Sequence, residues 1–441
     1  MDQVITKNPL QGLLESRKTS RQMGIWSCCS ANKFVVRATM RRARASGTVA
    51  LIEATANQVN QDGGYTGMTP ARFHAFVERI AAEEGMSPER VFCGGDHLGP
   101  LTWQHLPEAQ AMERARTLVE SYVLAGFTKI HLDTSMRVAD DDTSVRLSDE
   151  TIARRGAELC AASEQAFRSY QASHPGAVPP IYIIGSEVPI PGGAQENEDS
   201  VTVTSPDDCL ATLETFRSAF LKRGLDEAWE RVVGLVVQPG VEFADESVVT
   251  YDRAAARELT DCLKSWPNMV FEGHSTDYQP RECLREMVED GIAILKVGPA
   301  LTYALREGLF ALESIEQELS LDDGSGGLRE TLDAAMLADD RYWARYYRGT
   351  PQQQRFSRAF SFSDRARYYL PAEAVTDAVG KLLGKLGNVT IPLALLSQYL
   401  PMQYRRVRDG LLENHPEDLL LDHIGDCIDD YLYASIREGG D

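Results

Sequence analysis

Eight short apolar runs alternate with longer stretches of helical pattern through most of this chain, and that alternation constrains its fold more than any other feature. The runs are Gly24–Cys28, Val49–Ala54, Val91–Gly94, Lys129–Asp133, Ile181–Gly185, Val232–Val237, Met269–Glu272 and Ala293–Val297. Helical patterns fill 69–85, 107–126, 148–173, 205–224, 252–265 and 280–290. Thr69-Pro70 reads as an N-cap with proline at the first helical position, and Gly85, Gly126 and Gly224 stand where helix C-caps fall. Near-continuous apolar strands separated by helices predict a parallel sheet covered on both faces. Eight such units predict a closed (β/α)8 TIM barrel, an α/β fold. A doubly wound open sheet is disfavoured, because no Gly-rich dinucleotide fingerprint follows the first run.

The alternation stops near Gly308. A polar segment, Leu321 to Gly327, precedes a largely helical remainder rich in Arg and Tyr (RYWARYYRG, FSFSDRARYYL, QYRRVRDG). The expected organisation is an N-terminal segment over 1–20, a barrel over 21–320 and a helical C-terminal region over 325–441. That last region is expected to cap the barrel or to build an interface, including one between copies of the chain as a homo-oligomer.

The formal net charge of -20 disfavours nucleic acid and anionic membrane as partners. It leaves open an anionic small molecule held in a local positive pocket. The eight cysteines are scattered without a CxxC pair and read as reduced, mostly buried thiols. The N-terminus lacks the apolar core of a signal peptide, and no run approaches the roughly 20 apolar residues of a membrane span. A cytoplasmic protein is expected.

Several apolar runs turn polar at their C-terminal ends, which is where barrel enzymes keep their chemistry. The third run leads through Gly94-Gly95 into Asp96-His97, the fifth into Ser186-Glu187, and the seventh into His274-Ser275-Thr276-Asp277. His97, Glu187 and His274 would make a divalent-metal site. Zinc suits this set best, with manganese, cobalt or nickel as alternatives. Asp96 is the expected general acid/base, with Glu53 as a second catalytic carboxylate. Asn57 and Gln58, in a polar Gly-rich loop after the second run, are expected to cover a polyol substrate. Ser275, Thr276, Lys296 and Gly298, after the seventh and eighth runs, are expected to contact substrate, because these barrel loops commonly hold phosphate. A Schiff base at Lys296 is a secondary option. Alternation along the fourth run points His131 and Asp133 the same way, as inner-layer polar groups, substrate contacts or partners orienting a metal ligand. Ser186, Gln238 and Glu242 complete the expected substrate contacts. Arg365 could reach a phosphate or form a surface ion pair.

Taken together, IEATANQVNQDGGYTGMTP, CGGDHLGP, HLDTSM, GSEVPIPGG, FEGHSTDYQ, LKVGPALTYALREGLFAL and IPLALLSQYLPMQYRRVRDG resemble the GatZ/KbaZ family over nearly the whole chain. These are the non-catalytic subunits of class II tagatose-1,6-bisphosphate aldolases, part of the tagatose/galactitol pathways. Some relatives carry a tagatose-6-phosphate kinase label, yet no P-loop is present here. Others are credited with C4 epimerisation of ketoses or ketose phosphates. The resemblance implies a TIM barrel related to class II aldolases, in which Asp96 matches a catalytic aspartate and His97 and His274 match metal histidines. The sixth-strand metal histidine of those aldolases is missing from QPGVEF, and Glu187 would replace it. Two functions follow as expectations: a metal-dependent C4 epimerase working by retro-aldol and aldol steps on a ketose or ketose phosphate, or a subunit stabilising a class II aldolase.

Overall fold

The computed structural model describes residues 7–186, 201–321 and 326–437. Eight parallel strands close a barrel: β1 Ile25–Cys28, β2 Ala50–Thr55, β3 Val91–Leu98, β4 Lys129–Leu132, β5 Ile181–Ile184, β6 Val232–Val237, β7 Val270–Gly273 and β8 Ile292–Val297. β1 pairs with β8, aligning Ser27 with Lys296, and every other strand pairs with its neighbours in the chain. The fold is thus a TIM barrel with helices added at its C-terminal end. A short hairpin, Glu242–Phe243 with Val248–Val249, follows β6.

The barrel interior is built in layers because alternate residues of each strand point inward. Its lower part is apolar, with Ile25, Leu51, Phe92, Ile181, Ile183, Val233, Val236, Val270 and Ile294 in one buried cluster. Leu10 and Leu14 of helix Pro9–Ser16 belong to the same cluster, so this N-terminal helix plugs the bottom of the barrel. Asn8 fixes the plug: its side chain caps the helix at the Leu10 N–H and donates to Thr128 O and Pro179 O, both at 3.0 Å. Leu10 is fully buried. Leu10→Ala is expected to cost about 2–5 kcal/mol, through lost burial and an unfilled cavity. Urea unfolding would show this as a lower midpoint.

The C-terminal region both packs on the barrel wall and reaches its mouth. Helix Pro416–Ser435 lies against helices Lys33–Ser46, Arg281–Glu289 and Pro299–Glu318. Its Tyr431 hydroxyl donates to Thr276 O at 2.8 Å. Arg42 pairs with Asp422 and Asp429 across this contact, each at 3.0 Å. The segment Ser361–Tyr369 bends back over the C-terminal ends of the strands. Asp245, after β6, accepts from the hydroxyls of Ser361 (2.7 Å) and Ser363 (2.9 Å). Tyr278, after β7, donates to Phe362 O at 2.6 Å. Thr302 and Arg306, on the helix after β8, donate to Asp364 at 2.6 and 2.8 Å. Asp364 holds a left-handed backbone, φ 43°, an uncommon state that these bonds maintain. Among the described residues no helix is long and apolar enough to cross a membrane.

Candidate active site

A cleft of about 90 Å³ opens at the C-terminal ends of the strands, lined by Asp96, His97, His274, Ser275 and Lys296 among others. Asp96 and His97 are consecutive, and a regular strand would point them to opposite faces. β3 avoids this with a register shift between Gly95 and Leu98, and His97 takes φ 49°. The irregularity lets both side chains reach the cleft. It also carries β3 on to Leu98, past the Gly94 end expected from the apolar run.

Beneath the cleft lies a buried polar layer. Lys129 Nζ sits between Glu53 Oε1 (2.6 Å) and Glu272 Oε2 (2.7 Å). Lys296 Nζ contacts the other oxygen of Glu53 and lies 3.0 Å from Asp96 Oδ1. Gly94 makes room for this: a Cβ there would stand 2.5 Å from Glu53 Oε1. Above the layer, Asp133 Oδ2 bonds His97 Nδ1 at 2.9 Å, Asp96 Oδ1 lies 3.0 Å from His131 Nδ1, and Glu272 Oε1 lies 2.9 Å from His274 Nε2. The imidazoles of His97, His131 and His274 stand with ring centroids 4.9 to 5.3 Å apart.

These contacts set the charge states. Burial opposes charge on His97, but Asp96 and Asp133 outweigh it and raise the pKa. Burial lowers that of His274, which Glu272 only partly offsets, so this ring stays neutral. Burial works against the Asp96 carboxylate, yet His97, His131 and His274 hold its pKa far below the usual range. Glu272 falls to about 2, burial being outweighed by Lys129 and His274, and Asp133 also to about 2, through His97. Burial brings Lys296 down to about 8.

Asp96, His131, Glu272 and His274 each offer a ligand atom within 4.8 Å of the others. His131 Nε2 is buried without a hydrogen-bond partner. Its Nδ1 is already engaged, accepting from the His97 backbone N–H at 3.1 Å and lying 3.0 Å from Asp96 Oδ1, so Nε2 is the ring atom left to meet a ligand. Four carboxylates (Glu53, Asp96, Asp133 and Glu272) face two ammonium groups (Lys129 and Lys296), so even with His97 protonated the region holds excess negative charge. Two imidazoles, two carboxylates and an excess of negative charge fit a divalent cation.

Two of the three expected metal ligands come together at the cleft. His97 and His274 do meet, and Asp133 holds His97 Nδ1, which leaves Nε2 as the atom His97 would offer an ion; His131 and Glu272 stand with Asp96 and His274 as a further metal-ready group. Glu187 lies outside the described residues. Glu53 is fully buried and bonds the two lysines from below. Asp133 orients His97 instead of facing substrate. Asn57, Ser275 and Lys296 line the cleft. Gln58 lines it too, but its amide is engaged by Thr55 N (2.9 Å) and Cys29 O (3.3 Å).

Other expected contacts serve the scaffold. The buried Thr276 hydroxyl donates to Lys296 O at 2.6 Å. Gln238 Oε1 accepts from Gly240 N and Val241 N, Glu242 Oε1 accepts from Phe243 N, and Ser186 bonds the Thr212 hydroxyl at 2.7 Å. The Gly298 N–H is taken by Asp277 Oδ1 at 3.0 Å, and Ala300 N by the same oxygen at 2.8 Å. Burial pushes the Asp277 carboxyl up to about 6 against these bonds. Arg365 is buried against the Tyr346 ring, and it is Arg367, two residues on, that lines the cleft. Lys129 and Glu272 were missed, although strand alternation marks both: Lys129 shares a face with His131 and Asp133, and Glu272 with His274.

The family model for D-tagatose-1,6-bisphosphate aldolase subunit GatZ/KbaZ-like proteins matches residues 10–436. A solved structure from Sinorhizobium meliloti 1021, described as a probable tagatose 6 phosphate kinase, is 45% identical, with a TM-score of 0.85 over 93% of this chain and 100% of that one. A fructose-bisphosphate aldolase from Campylobacter jejuni is 12% identical, with a TM-score of 0.44 over 86% of this chain and 91% of its own. A fructuronate-tagaturonate epimerase from Cohnella laeviribosi is 13% identical, with a TM-score of 0.45 over 93% and 81%. The full-length family match and the 45% identical structure place this chain in the GatZ/KbaZ-like family of D-tagatose-1,6-bisphosphate aldolase subunits.

Proposed function

We propose that this protein is a metal-dependent C4 epimerase of a ketose or ketose phosphate, which breaks and re-forms the C3–C4 bond. The supporting observation is the buried group of Asp96, His131, Glu272 and His274 at the barrel mouth, backed by Lys296 and His97. His131, Glu272 and His274, with Asp96 beside them, would hold a divalent cation, which when bound supplies Lewis-acid polarisation of the ketose carbonyl. The rest of the chemistry falls to the chain's own groups. Asp96, ionised at neutral pH, takes the proton of the C4 hydroxyl. Its Oδ1 is held by Lys296 and His131, and Oδ2, 3.8 Å from His97 Nε2, is left to receive that proton. The O–H pair becomes the carbonyl bond of an aldehyde as C3–C4 breaks, and the C3–C4 pair spreads over C2 and C3 as an enediolate. The Lys296 ammonium opposes that charge. The aldehyde turns its other face to C3, the bond re-forms, and Asp96 returns the proton to the new C4 alkoxide. Escape of the aldehyde instead would give aldolase activity.

The test is incubation of metal-loaded protein with a panel of ketoses and ketose phosphates, read by product stereochemistry. Inversion at C4 is expected, with about one divalent ion bound per chain. Neither epimer nor cleavage product from any ketose would overturn the reading. The family's description as an aldolase subunit favours a second reading, a partner that stabilises a class II aldolase. Under it, the isolated chain is inert and raises the activity of an added aldolase.

A further inference from the structure

The geometry points to Arg367 as the residue that recognises a terminal phosphate on the substrate, a subsite supplied by the C-terminal region instead of the barrel loops. This inference rests on a ketose being the substrate of the cleft, and adds which ketoses it selects. Two of the backbone N–H groups that a TIM barrel offers to phosphate after its eighth strand are already occupied here. Asp277 places one carboxylate oxygen on both Gly298 N and Ala300 N, at the start of helix Pro299–Glu318. Above its pKa of about 6 that carboxylate is charged and would repel a phosphate from the same spot. Lys296 is committed to Glu53 and Asp96.

The other Lys or Arg side chain lining the cleft is Arg367, which has no carboxylate within ion-pair distance among the described residues. It donates to Ser363 O, to Asp364 O (3.0 Å) and to the Tyr368 hydroxyl (3.0 Å). These bonds fix the guanidinium without neutralising it, in a chain whose net charge is -20. The positive potential is felt nearby: burial opposes ionisation of Tyr368, but Arg367 and Arg365 outweigh it and draw its pKa below the usual tyrosine range. Tyr65, from the loop after β2, packs edge-on against Tyr368 with centroids 4.8 Å apart and closes this side of the cleft. The segment carrying Arg367 is anchored to the ends of three barrel units through Asp245, Tyr278, Thr302 and Arg306, so the guanidinium is held in place before substrate arrives.

Binding of fructose 6-phosphate and of fructose would be measured by calorimetry on the native protein and on the Arg367→Met and Arg367→Lys variants, with inorganic phosphate as a competing probe. Arg367→Met is expected to weaken fructose 6-phosphate about 10- to 100-fold, the loss of a charge-assisted contact, and to leave fructose unchanged. Arg367→Lys should retain part of the difference, and phosphate should compete only with the native protein and the lysine variant. Equal losses for both sugars would mean that Arg367 serves only to balance Asp277. A native protein binding fructose 6-phosphate no tighter than fructose would also overturn the subsite. Because the readout is binding, Arg367-dependent phosphate recognition in a protein that turns over no ketose would sink the epimerase reading and leave the subsite standing.

Discussion

Asp96→Asn is expected to lower turnover by about 10³- to 10⁴-fold while the barrel stays folded. The amide keeps the size of the carboxylate but cannot take a proton from the C4 hydroxyl. It also strips a negative charge from beside His131 and Lys296, which lie 3.0 Å away on Oδ1. Asp96 is one of the four metal-ready residues, so metal content must be measured alongside rate. Loss of rate with the ion retained assigns Asp96 to proton transfer. Loss of both assigns it to the ion, and unchanged rates would remove it from the chemistry. Circular dichroism and unfolding midpoints on the same samples separate either result from misfolding.

Lys129→Met should be among the most destabilising single changes in the barrel, costing about 3–5 kcal/mol in denaturant unfolding. Lys129 is almost fully buried between Glu53 and Glu272. Methionine fills much of its volume but leaves two carboxylates facing each other without the ammonium between them. That is the costly way to break a buried pair, because the desolvation of the remaining charges is no longer offset. Adding Glu53→Gln to Lys129→Met should recover part of the loss, a coupling expected of neighbours in one network. A double variant no better than the single one would show that the loss does not come from leaving Glu53 without its partner. The same pair bears on function, since Glu53 also contacts Lys296, which in turn touches Asp96.

Much of the barrel is legible in the chain itself. Each of the eight apolar runs coincides with an observed strand to within a few residues, since a strand buried on both faces needs a continuous apolar run and little else. The main departure, β3 running on to Leu98, comes from a register shift at Asp96-His97 that no local pattern announces. Residues at strand ends were legible as a set: Asp96, His97, His274 and Lys296 do share one cleft. Their pairings were not. His97 had the sequence context of a ligand, but nothing local showed that Asp133 would hold its Nδ1, or that His131 would bury an Nε2 without a hydrogen-bond partner. The choice turns on ring orientations set by neighbouring strands.

The order of apolar and polar residues along each segment determined the strands, the helices and the inward faces, because those follow from periods of two and 3.6 residues over short distances. Tertiary structure alone decided three things. Glu272 and Lys129 meet across the barrel, Asp277 fills a helix terminus that substrate would otherwise use, and Arg367 arrives at the mouth from a segment beyond the last strand. Each depends on groups far apart in the chain being brought within hydrogen-bonding range by closure of the sheet and by the fold-back of the C-terminal region, and no local period carries that information.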